Sequence, residues 1–108
     1  MARDALIIQF TTSGEPADLE LLFGFSESLS AGLIRNRSGE VDGNDFGEGR
    51  MNVFVYPRTG YLSACVDAVK AYLKYHKLLH RGIIVRRTKS ENHHVLWPEG
   101  YDGNYERC

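Results

Sequence analysis

An α+β domain is predicted by three features of this sequence. Short segments alternate apolar and polar residues, two longer segments repeat apolar residues every three or four positions, and Gly, Pro and Ser mark the boundaries between them. With 108 residues, 43% hydrophobic and 25% charged, the chain suits one domain built on one core.

Residues 5–11, ALIIQFT, are apolar and β-branched and read as a strand. The TTSGEP that follows is turn and capping chemistry leading into a helix. Pro16 suits the first helical turn, where its missing N–H would lack a partner anyway. Leu19, Leu22, Phe23, Ser26, Leu29 and Leu33 then share one helical face, with an end expected near Gly32. The polar, glycine-rich RNRSGEVDGNDFGEGR follows, with a strand expected at about 38–46. In MNVFVYP, Met51, Val53 and Val55 alternate with Asn52, Phe54 and Tyr56, the period of a strand at 51–56 with two distinct faces. Pro57 cannot donate to a ladder, and Thr59 or Ser63 is a candidate cap for a second helix. That helix carries Leu62, Val66, Val69 and Leu73 on its apolar face, Cys65 on the flank as a small core residue, and a break at Gly82. Ile83-Ile84-Val85 and HHVLW at 93–97 read as strands paired through TKSEN, the first an edge strand guarded by Arg81, Arg86, Arg87 and Lys89. Residues 1–97 form the expected domain, and 98–108, PEGYDGNYERC, a loose tail.

The order βαββαβ with one late strand is that of the ferredoxin-like fold, a four-stranded antiparallel sheet with two helices on one face, here with a short extra C-terminal strand. Thirteen basic and fourteen acidic side chains leave a formal charge of −1, so no global field draws the chain to nucleic acid or an anionic membrane. No segment approaches the roughly 20 apolar residues of a membrane span, and a cytoplasmic location is expected. Cys65 and Cys108 are read as free thiols.

Glu40, Asp42, Asp45 and Glu48 stand close together with no basic residue among them. As a calcium loop starting at Asp42 the segment fails, because Phe46 takes the fifth position and Val53 the twelfth, where oxygen ligands are required. Its glycines permit a sharp turn with solvated acids, and the acids can also steer a basic partner. His76 and His80 have helical metal-ligand spacing but no third ligand nearby, so no metal is expected. RMNVFVY at 50–56 is similar in part to the central strand of the RNA-recognition motif: Arg50, Phe54 and Val55 fit, while Met51, Asn52 and Pro57 do not.

The pattern SGEVDGNDFGEGRMNVFVYP, leading into a helix and a short basic strand, resembles small stand-alone bacterial proteins of this fold, some of them similar to toxin-neutralising immunity proteins. The resemblance covers about residues 39–97 and implies binding by occlusion, without catalytic residues. The sequence therefore predicts a cytoplasmic protein-binding domain, immunity-type or homodimeric, with a basic toxin as the expected partner and no cofactor. Its contact residues are Glu40, Asp42, Asp45 and Glu48 with Phe54, Tyr56 and Trp97, the last three expected on the sheet face away from the helices. Two alternatives stay open. A single-stranded nucleic-acid binder requires basic residues flanking Phe54 and Tyr56, and a small enzyme requires a pocket joining Cys65, His76, His80 or the carboxylates.

Overall fold

The computed structural model describes residues 4–101; the expected tail beyond Tyr101, Cys108 included, lies outside the described residues. The elements are β1 (Ala5–Thr11), α1 (Pro16–Asn36), β2 (Gly39–Gly47), β3 (Arg50–Pro57), α2 (Leu62–Tyr75), β4 (Ile83–Arg87) and β5 (His93–Trp97). The strands form one five-stranded antiparallel sheet in the order β2-β3-β1-β4-β5. No helix among the described residues is long and apolar enough to cross a membrane.

Alternation along the strands decides what the helices cover. Leu6, Ile8 and Phe10 of β1, Met51, Val53 and Val55 of β3 and Ile84 of β4 share one core with Leu22, Phe25, Leu29 and Leu33 of α1 and Cys65, Val69 and Leu73 of α2. Both helices therefore lie on the same face of the sheet. Fully burying each large apolar side chain contributes roughly 1.5–3 kcal/mol. Phe10 and Phe25 meet edge to face at 5.5 Å, an arrangement aromatic quadrupoles favour.

The α1 stripe is centred on Phe25 rather than Phe23, which is 38% exposed. Phe23 neighbours Leu22 in sequence, but the roughly 100° step per residue turns it off the core face. The helix also runs past Gly32 to Asn36. Gly32 is a contact residue, not a stop: a Cβ there would lie 2.6 Å from Tyr72 Cζ of α2. The stop is Arg37, left-handed at φ 54°, whose N–H bonds back to Ile34 O at 3.1 Å.

Neither Thr59 nor Ser63 caps α2; its N-cap is Tyr61, with no side-chain hydrogen bond. The helix ends at Tyr75, well before Gly82, because His76 is its C-cap and Lys77 turns the chain at φ 60°. β4 is not an edge strand, since β5 pairs along its outer side. Its basic flank is engaged instead. Arg81 binds Asp18 through both terminal guanidinium nitrogens at 2.8 and 3.0 Å, and Arg86 binds Asp4 at 2.7 Å.

Candidate functional site

The β2–β3 hairpin closes on a two-residue turn, Glu48-Gly49, with positive φ at both positions (54° and 78°). That conformation matches the right-handed twist of the paired strands, and Gly49 adopts it without steric cost. The stretch expected to be partly loop is thus almost entirely strand, interrupted by a bulge between Val41 and Gly43. Among the described residues β2 is the last strand on its side of the sheet, and its outer backbone edge has no strand partner there.

Side chains alternate along this edge. Glu40 is paired with Tyr56 and Asp45 with Asn52, on the sheet face away from the helices. Asp42 sits in the bulge and Glu48 at the hairpin tip, and all four acids are exposed. Asp42, Asp45 and Glu48 have no ion pair among the described residues. On the helix side Asn44 accepts a 3.0 Å hydrogen bond from Ser26 of α1. Two residues further along β2 stands Phe46, 50% exposed, and one turn earlier on α1 stands Phe23, 38% exposed. Because the β1-α1-β2 crossover makes α1 run opposite to β2, both steps go the same way. The free edge has carboxylates towards one face and aromatics towards the other.

The face away from the helices is less open than alternation alone suggests. Gly43, Phe54, Ile7, Val85 and Val95 form one row across the sheet, and Ile7 and Val85 have no exposure. Gln9 and Asn52, 3% and 6% exposed, satisfy each other through a 2.9 Å amide hydrogen bond. Arg87 donates to the Tyr56 hydroxyl at 3.4 Å. Phe54 and Tyr56 are half-buried members of this face.

Trp97 is not on it. Val95 opposes Val85, but a register shift makes Trp97 oppose Ile84, where unbroken alternation would set it beside Ile83. The extra residue carries the indole to the helix side, where it packs on the core and its Nε1 donates to Leu79 O at 3.3 Å. Lys70 of α2 lies 5.0 Å above the ring. A bulge within a five-residue strand has no hydropathy signature, so the sequence could not reveal this inversion.

The groups named for an enzymatic alternative are dispersed. Cys65 is buried with its Sγ donating to Ser38 O at 2.9 Å, and burial pushes its thiol above the usual range. His76 stands at the far end of α2, about 16 Å away along the axis at roughly 1.5 Å per residue. It packs edge-on against Phe25, while His80 lies beyond the helix beside Trp97, so the two histidines are not a helical chelate. Among the described residues no three or more His, Cys, Asp or Glu side chains converge to hold a metal.

Compared with models of known protein families, with curated proteins and with solved structures, the chain matches none of them.

Proposed function

We propose that this chain is a protein-binding domain that docks a basic surface along the β2 edge. The observation that carries the reading is the row of exposed acids, Asp42, Asp45 and Glu48, which among the described residues lie without cationic partners on a sheet edge that no further strand covers. Carboxylates in this position attract arginine and lysine over about a Debye length, and the edge offers main-chain hydrogen bonds to an added strand. Phe46 supplies apolar area next to them.

The first four strands and two helices are read as a ferredoxin-like unit with β5 appended. Each helix crosses between strands that lie two places apart in the sheet, β1 to β2 and β3 to β4, which supports that reading. Within this framework the resemblance to toxin-neutralising immunity proteins gives the partner a class, a basic toxin held by occlusion. Self-pairing through the same edge would set acids against acids, so a homodimer is not assigned to it.

The test is association of the purified chain with a basic partner isolated from the native host, followed kinetically at low and high salt. Replacing Asp42 and Asp45 by Lys is expected to slow association, and high salt to have the same effect on the parent chain. Association that is indifferent to both changes would refute the edge as the docking site.

A further inference from the structure

The end of β2 opposite the hairpin opens on a groove of about 390 Å³, lined by Ile34, Arg37, Gly39, Glu40, Tyr56 and Arg58. Three separate segments meet here. Arg37 ends α1 in a left-handed conformation, Gly39 begins β2, and Arg58 follows β3. Backbone bonds lock them together: Ser38 N–H to Leu33 O at 3.1 Å, and Arg58 N–H to Ser38 O at 2.9 Å. Arg58 Nη1 also donates to Arg37 O at 3.4 Å. Gly39 is held so closely that a Cβ would meet Tyr56 O at 2.8 Å and Cys65 Sγ at 2.9 Å, so its place is fixed by packing.

This frame brings two guanidinium side chains to one opening, and neither has a carboxylate partner among the described residues. Arg87 of β4, which does not line the groove, donates to the hydroxyl of Tyr56 at 3.4 Å and fixes that side chain. Ile34 and Tyr56 provide apolar wall, and Ile34 is 62% exposed, an uncommon position for a large aliphatic side chain. The combination has a specific chemistry. Planar guanidinium forks match the oxygens of a phosphate, whereas an aromatic residue and an aliphatic side chain lining one groove suit the flat body of a base. The volume falls in the range of small-ligand sites.

We infer that the groove at Arg37, Arg58 and Tyr56 is a nucleotide phosphate site, taking the phosphate on the two arginines and the base against Ile34 and Tyr56. This does not depend on the β2 edge as a protein contact, because the arginines and Ile34 take no part in that edge. The phosphate can belong to a free nucleotide or to a single strand. Glu40, on the same wall, repels phosphate oxygens close to it, so the phosphate sits on the arginine side of the opening.

Amide chemical shifts of the isotopically labelled chain, titrated with adenosine 5′-monophosphate, adenosine, inorganic phosphate and a short oligoadenylate, test the inference. The monophosphate is expected to move the amides of Arg37, Gly39 and Arg58, and adenosine to bind at least about tenfold more weakly. An oligoadenylate that binds more tightly than the monophosphate, with an affinity that falls with salt, identifies the source as a strand; otherwise it is a free nucleotide. Arg37→Lys with Arg58→Lys keeps the charge and removes the forked geometry, and about a tenfold loss of affinity at unchanged melting temperature is expected. Equal binding of adenosine and its monophosphate, shifts that map away from the groove, or full affinity in the double lysine variant would overturn it.

Discussion

The ring of Tyr72 occupies the space that a side chain at Gly32 would need, with Cζ 2.6 Å from where a Cβ would stand. α1 also holds Tyr72 there through a second residue, since Arg35 Nη2 donates to its hydroxyl at 3.2 Å. Gly32→Ala should therefore destabilise the domain by about 1–2 kcal/mol in urea denaturation: overpacking costs roughly 1–3 kcal/mol and outweighs the gain of up to about 1 kcal/mol in helix propensity. In a Tyr72→Ala background the same substitution should become stabilising. A Gly32→Ala cost that persists in that background would mean the glycine serves some purpose other than helix contact.

His76 Nε2 is buried and has no hydrogen-bond partner among the described residues. A desolvated, unpaired nitrogen is a cost that an apolar ring of similar shape avoids. His76→Phe should keep the edge-on contact with Phe25 and raise stability by about 0.5–1 kcal/mol, read as a higher thermal midpoint. A lower midpoint would show that the nitrogen is satisfied in the folded protein.

Asp18 couples the start of α1 to the segment before β4, and its hydrogen bonds with Arg81 and Thr12 hold its carboxyl below the ordinary value of 3.8. A depressed carboxylate contributes stability that is complete above the unfolded value and is lost as pH falls through the folded one. Denaturation midpoints should thus decline below about pH 4, and Asp18→Asn should be less stable at neutral pH yet lose less on acidification. Asp4 is lowered in the same direction by Arg86, so part of the acid sensitivity should remain. An Asp18→Asn variant with an unaltered acid profile would exclude this pair as a source of it.

Core and contact roles separate at neighbouring strands. Val55 has no exposure, and Val55→Ala should cost about 2–3 kcal/mol in denaturant. Phe46 is 50% exposed, so Phe46→Ser should change stability by no more than about 0.5 kcal/mol while weakening capture of a basic partner. Should Phe46→Ser leave capture intact, the aromatic flank of the edge is not part of the contact.

Strands were legible wherever hydropathy alternates over several residues: the expected bounds of β1 and β5 agree with those observed, and Met51, Val53 and Val55 face the helices as their spacing requires. Helix ends were less so. Gly32 carries the composition of a stop, but the fact that decides its role is a tyrosine on another helix, which no local window contains. The acids of β2 were identified as a group from sequence alone, and their arrangement along a free edge required the strand order. Trp97 was misplaced by one inserted residue. Arg37 and Arg58 were passed over because each looks like an ordinary turn cation, and only the folded chain brings them to one groove.

β1 lies between β3 and β4, with Ile7 opposite both Phe54 and Val85, so the first strand of this sheet gains its second neighbour only once β4, at the far end of the fold, has been made. Contacts this distant along the chain make folding slow relative to helical proteins of similar size, since loop closure precedes any reward from pairing. Until β4 emerges, an apolar strand with Leu6, Ile7, Ile8 and Phe10 has one vacant side, and that interval is when the nascent chain is most exposed to mispairing.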